Sequence, residues 1–170
     1  MEPARDATVL QFEVSARRDL RWLLLLVVAI GFVWAGFTVD PLDNCSSDGE
    51  CAPILVPIAA GIGLLALLAA LATLSANPSR GSRVDLASGD MVWWQGRTLR
   101  HAGDHGQTNA AQISRIMIQR DSDSADAVHI YDLAGVRIAY LDEEVIPWRQ
   151  EDWAAKLVAA WPHIGLEIRE

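Results

Sequence analysis

Hydrophobic and polar positions along this chain fall into three regimes. From Trp22 to Val39 (WLLLLVVAIGFVWAGFTV), and again from Pro53 to Leu74 (PILVPIAAGIGLLALLAALATL), no charged residue interrupts the apolar run. Each run is close to the ~20 residues that a helix needs to cross roughly 30 Å of hydrocarbon. The pattern predicts two transmembrane helices, over 20–39 and 53–76, joined by an acidic loop over 40–52. Asn77-Pro78-Ser79-Arg80-Gly81-Ser82 then breaks the second helix and predicts a linker over 77–82.

Beyond the linker the period shortens. Residues 83–87 and 91–95 alternate around Ser88-Gly89-Asp90, which predicts a β-hairpin. A turn at Gln95-Gly96-Arg97 leads to a short strand over 98–101, and Ile116 and Ile118 alternate with Arg115 and Met117 in a strand over 113–119. Residues 121–126 form a polar turn, and 127–131 and 136–141 flank Asp132-Leu133-Ala134-Gly135 as a further hairpin. The period then changes again. Trp153, Leu157 and Trp161 make one apolar stripe of a helix over 147–161, which Pro162 stops before a last strand over 165–168. Strands followed by one packing helix predict an α+β domain over 83–170. Residues 8–14 (TVLQFEV) also alternate, and are expected to add a strand from the N-terminal segment, 1–19.

Charge gives the hairpin a direction. Arg5, Arg17, Arg18 and Arg21 precede the first run, and Arg80 and Arg83 follow the second; the loop has no Lys or Arg but holds Asp40, Asp43, Asp48 and Glu50. Basic flanks stay in the cytoplasm, so both termini are expected there and the loop outside. A cleaved signal peptide is the main competitor for the first run. No A-x-A-like site follows it, and it is longer than an ordinary h-region, so an uncleaved anchor is expected. The only two cysteines, Cys45 and Cys51, fall in the loop. An oxidising compartment favours a disulfide between them, the alternative being two free thiols. The nearby acids lack EF-hand spacing and read as solvated. A net charge of −8 argues against nucleic acid as a partner.

Helices in lipid approach closely at small residues. Ala59, Gly63, Ala66 and Ala70 line one face of the second span, and Gly31 and Ala35 lie on the first. This stripe either closes the hairpin on itself or faces another membrane subunit. The absence of ionisable groups in the spans argues for anchoring over transport.

The whole arrangement resembles the small bacterial membrane proteins with two N-terminal helices and a cytoplasmic pleckstrin-homology-like (PH-like) domain. The resemblance runs through FEVSARRDL, VDLASGDMVWW, ISRIMIQ, HIYDLAGVRIAYL and EDWAAKLVAAWPHIGLEI. It implies a curved antiparallel sheet of seven strands capped by a C-terminal helix, in a multi-pass protein of the bacterial inner membrane.

Candidate chemistry is sparse, and no enzyme is expected. His101, Asp104 and His105 are too few for a zinc site and suit a Gly-rich turn. Asp142-Glu143-Glu144 is expected to solvate a loop and favour the following helix N-terminus, and His129 to be a structural strand residue. The first hairpin loop has no cation for a lipid headgroup, and Arg97 and Arg100 near the next turn make only a weak site. No cofactor or metal is expected. Trp93 and Trp94 are adjacent in a strand and point to opposite faces, so the outward member is the best partner-binding candidate. The expected role is an accessory subunit or assembly factor of a membrane protein complex or homo-oligomer, held in the bilayer. The alternative is a module that senses lipid or a small ligand.

Overall fold

A computed structural model describes residues 8–45, 49–120 and 126–170. The expected turn at 121–126, apart from Asp126, lies outside the described residues, as do Arg5 and Asp48. The chain forms two compact units, Ser15–Pro78 and the preceding strand together with Ser79–Glu170.

The first unit is a helical hairpin of α1 (Leu20–Thr38) and α2 (Leu55–Ala76), both long and apolar enough to cross a membrane. Asp19 caps α1 by accepting from Arg21 N at 3.1 Å. Asn77 ends α2 in the left-handed conformation (φ 47°), which asparagine tolerates at this position. Three bonds close this end of the hairpin: Ala16 N to Pro78 O at 2.9 Å, Arg17 N to Asn77 Oδ1 at 3.1 Å and Arg17 Nε to Leu74 O at 2.9 Å. The last of these places a cation on a terminal carbonyl of α2, where the helix dipole favours it. At the other end Cys45 and Cys51 form a disulfide, and Asn44 Nδ2 donates to Ala52 O at 2.8 Å.

The seam between the helices is built of small residues. Ala29, Gly63 and Ala70 are buried. A Cβ built on Gly63 lies 2.6 Å from Phe32 Cβ and 3.1 Å from Val33 N, and one on Gly36 collides with Ala60. The second-span stripe runs along this seam through Gly63 and Ala70, with Ala59 and Ala66 half-buried beside them. The first-span stripe is displaced from expectation. A Cβ on Gly31 meets nothing within 4 Å, and Ala35 is only half-buried. Two residues span about 200° of an α-helix, which turns Gly31 away from the Ala29 face, whereas Gly36, seven positions on, returns to it.

The second unit is α+β. β1 (Val9–Ser15), β2 (Ser79–Asp85), β3 (Asp90–Arg97) and β4 (Asp104–Asn109) form one sheet in that order. β5 (Ile113–Gln119), β6 (Ala127–Asp132) and β7 (Gly165–Arg169) form a second, with β5 central. The N-terminal segment thus supplies an edge strand, and the whole helical hairpin lies in the connection between neighbouring β1 and β2. β2 begins inside the expected linker, at Ser79.

Three expectations change. Residues 98–101 are a turn: Thr98 N donates to His101 O at 2.8 Å, and Thr98 Oγ1 accepts from Arg100 N and His101 N. Residues 136–141 make only a bridge, Tyr131 to Arg137, because Tyr140 adopts a positive φ of 59° that ends extended pairing. β7 pairs with β5 in parallel, not antiparallel. Helix α3 (Gln150–Ala160) supplies the crossover that a parallel pair needs, and the expected last strand follows it as β7.

One core serves both sheets and α3. Val84, Met91 and Trp93 come from the first sheet, Ile113, Ile116, Ile118, Val128 and Ile130 from the second, and Trp153, Ala154 and Leu157 from the helix. Trp161 Nε1 donates to Leu86 O at 3.1 Å and so ties the end of α3 to the β2–β3 turn.

Gly63→Ala is expected to destabilise the helical hairpin by about 1–3 kcal/mol, the usual cost of overpacking. Gly31→Ala should leave its stability unchanged or raise it slightly. Thermal unfolding of the two variants in detergent micelles checks the contrast; equal effects would remove the Ala29–Gly63 seam.

Candidate functional site

Among the described residues β1 is the end strand of its sheet. The bonds Leu86 N to Thr8 O and Ala16 N to Pro78 O lie eight residues apart on each chain. Antiparallel pairing then alternates, so even-numbered residues of β1 bond β2, and Val9, Gln11 and Glu13 turn their backbone N–H and C=O groups to the open edge. Gln11 and Glu13 are exposed, while Leu10 packs on the core.

Beside this edge lies an open groove of about 850 Å³. Its far wall is the approach to α3. Arg149 takes a left-handed conformation (φ 69°) as the residue before the helix, without a side-chain cap. Such a conformation costs a non-glycine residue of order 1–3 kcal/mol and concentrates at functional positions. Here it separates two indoles: Trp153 is buried in the core, and Trp148 is 82% exposed. Arg83, Arg149 and Lys156 bring three cations to the groove against the acids Glu13 and Asp152. Lys156 is the only lysine in a chain of net charge −8. Arg149 is partly engaged, with Nη1 3.8 Å from Asp152 Oδ2.

The adjacent tryptophans of β3 divide as their spacing requires. Trp93 is buried, with its ring across Gly106, where a Cβ would collide with it. Trp94 is the outward member, half-buried, with the Arg97 guanidinium 5.8 Å from its ring centre. Neither indole N–H meets a protein acceptor. The fully presented indole of the domain is therefore Trp148. Its sequence signal was phase, since it lies outside the stripe of Trp153, Leu157 and Trp161.

The acidic triplet does something other than solvate a loop. Asp142 Oδ1 accepts from Gln95 Nε2 of β3 at 3.0 Å, Glu143 Oε2 accepts from Val128 N of β6 at 3.0 Å, and Glu144 pairs with Arg80 of β2. Three consecutive carboxylates thus bind three strands of both sheets, and α3 begins only at Gln150. Burial raises the Asp142 carboxyl above its ordinary range; the neighbouring Glu143 pushes the same way, against Arg137, Gln95 and Arg80.

The histidine turn is held by its own backbone. His101 Nδ1 accepts from Gly103 N at 2.9 Å, and His105 Nδ1 lies 3.1 Å from Gly103 O. Among the described residues no group of three or more His, Cys, Asp or Glu is placed to hold a metal. His129 is half-buried in β6 opposite Met117.

The native fold holds the Asp142 proton more tightly than the unfolded chain does. Its ionisation therefore costs stability as pH rises from 3.8 through the raised native value. Asp142→Asn keeps the Oδ1 acceptor for Gln95 Nε2 and for Glu144 N. The variant should be at least as stable as the parent at pH 7, with its advantage shrinking toward pH 4 in denaturant titrations. Glu144→Gln, which breaks the ion pair with Arg80, should be less stable than the parent at pH 7.

Comparison with protein-family models, curated proteins and solved structures returned no match to this chain.

Proposed function

We propose that this protein is a non-enzymatic, membrane-anchored subunit or assembly factor whose α+β domain docks an extended segment of a partner in a membrane complex. The carrying observation is the open edge of β1 beside a groove with an exposed indole. Extended segments add to such an edge through main-chain hydrogen bonds, and side-chain pockets supply the selectivity. Aromatic residues are enriched in interface cores, which suits Trp148. With cations in excess at the groove, an acidic flank on the docking segment is the complementary chemistry.

The same reading places α1 and α2 across the bacterial inner membrane, with both termini and the domain in the cytoplasm. Arginines flank the outer ends of both helices, and the pairing of β1 with β2 requires those ends to emerge on one side. The disulfide suits an external loop. A PH-like domain agrees with seven strands in sheets of four and three around one core with a helix. The parallel β7 after the helix is a departure from that pattern.

Trp148→Ala, and separately Gln11→Pro, should lower recovery of the partner at least several-fold when the tagged full chain is purified from gently solubilised membranes. Proline removes an outward N–H of β1 without touching the β2 ladder, a tolerated place on an edge strand. Unchanged recovery with both variants at normal folded yield would exclude the β1 edge as the docking site, and recovery of the parent only as a monomer would exclude the subunit reading.

Topology has its own check. After mild reduction, a membrane-impermeant maleimide should label Cys45 and Cys51 from the outside of intact cells. Labelling only after permeabilisation would invert the proposed orientation.

A further inference from the structure

The turn between β3 and β4 combines rigidity, an apolar tip and cations. Leu99 at its apex is fully exposed. A leucine so exposed is usually found on a loose loop, but this one is braced. Thr98 N bonds His101 O, Thr98 Oγ1 accepts from Arg100 N and His101 N, and Gly103 at φ 69° donates to His101 Nδ1. Arg97 and Arg100, both exposed, flank the leucine. The acid on this turn is Asp104, where β4 starts.

Strand register says which end of the sheet carries the tip. Arg97 is the partner of Ser79 in the β2–β3 ladder. Only Asn77 and Pro78 separate Ser79 from Ala76, the last residue of α2. Three chain steps reach at most about 11 Å, and paired strands lie about 5 Å apart. The covalent connection alone therefore keeps the Arg97 backbone within about 16 Å of the end of α2. The chain continues past Arg97 beyond the start of β2, so Leu99 lies at the helix-connected end of the sheet. The opposite end carries Asp85 and Asp90 around the β2–β3 turn. Arg97 and Arg100 thus lie at the end tethered to the helices, where Asp104 and the Arg80–Glu144 ion pair also sit.

We propose that the Thr98–Gly103 turn is a membrane-surface anchor. Leu99 inserts into the interfacial layer of the leaflet from which the outer ends of α1 and α2 emerge, and Arg97 and Arg100 meet anionic lipid phosphates there. An apolar residue ringed by arginines suits that layer, where stems lie among acyl chains and charged heads stay with the phosphates. The proposal rests on the reading of α1 and α2 as membrane spans. It goes beyond the docking groove, which involves other residues.

The test uses the full chain in vesicles of phosphatidylethanolamine and phosphatidylglycerol, with a nitroxide at Leu99→Cys. The two native cysteines are bonded to each other and leave the introduced thiol alone to react. Ser88→Cys at the far end of the sheet controls for the label's own affinity for lipid, and Val27→Cys, on an exposed face of α1, reports whether the helices enter the bilayer. The ratio of oxygen to nickel-chelate collisions should be several-fold higher at position 99 than at 88. It should fall toward the position-88 value in phosphatidylcholine vesicles, or when Arg97→Glu and Arg100→Glu are introduced together. Equal ratios at 99 and 88, with position 27 deep in hydrocarbon, would overturn the anchor and leave the spans intact. A water-like position 27 would overturn the spanning reading and the anchor with it.

Discussion

The pairing of β1 with β2 is the constraint from which the rest of the chain's organisation follows. These strands are neighbours in the sheet but not in sequence, because residues 16–78 run between them. Closing so long a connection costs loop entropy, although the cost grows only slowly with length. A helical hairpin suits this connection, since two antiparallel helices of similar length return the chain close to where it left. The two ends of the hairpin are fastened by different chemistry. A covalent bond joins Cys45 to Cys51 at one end, and hydrogen bonds from Ala16 and Arg17 to Pro78, Asn77 and Leu74 hold the other. Small residues along the seam let the helix backbones approach closely.

The domain meets a related problem by another route. Its core joins two sheets with no strand shared between them, so their mutual placement depends on side chains. Apolar packing through Trp93, Ile116, Ile130 and Leu157 supplies the bulk. Non-directional burial does not by itself fix the angle between sheets. Asp142, Glu143 and Glu144 supply direction, each reaching a different strand, and Ser82 Oγ adds a buried bond to Val145 O at 2.6 Å. The raised Asp142 carboxyl is the electrostatic consequence of drawing an acid into that joint beside another.

What the sequence made legible follows from how local each signal is. Long uncharged runs gave the helices, and alternation gave β2, β3, β5 and β6, because period and composition act within a few residues. The small-residue face of α2 was readable from spacing four apart. That of α1 was not, since Gly31 and Gly36 are equally small and only the partner helix distinguishes them. The parallel register of β7, the bridge in place of a strand after Tyr131 and the reach of the acidic triplet are decided between distant segments, and a single chain carries no periodic trace of them. Trp93 and Trp94 were separable in principle by alternation, but which of the two points inward depends on the sheet's burial pattern. Trp148 falls outside the stripe of Trp153, Leu157 and Trp161, and its place across the groove from a strand edge is decided by segments far apart in the chain.

Edges give the clearest reason to seek a partner at that groove. An open strand edge invites pairing with other chains, and proteins ordinarily guard it. β4 presents Asp104, His105, Gly106 and Gln107, a polar run with little to offer an apolar neighbour. β7 carries Glu167 and Arg169 in an ion pair at 2.7 Å, with Arg115 of the adjacent strand on the same carboxylate. β1 is guarded differently. Gln11 and Glu13 face outward, but Val9, Leu10 and Phe12 also line the groove, and a solvent-exposed indole stands across from them. A left-handed arginine, Arg149, holds the bend between that indole and α3. Edge protection ordinarily removes such a combination, and the docking proposed above at β1, rather than at the tryptophan pair of β3, would account for its presence.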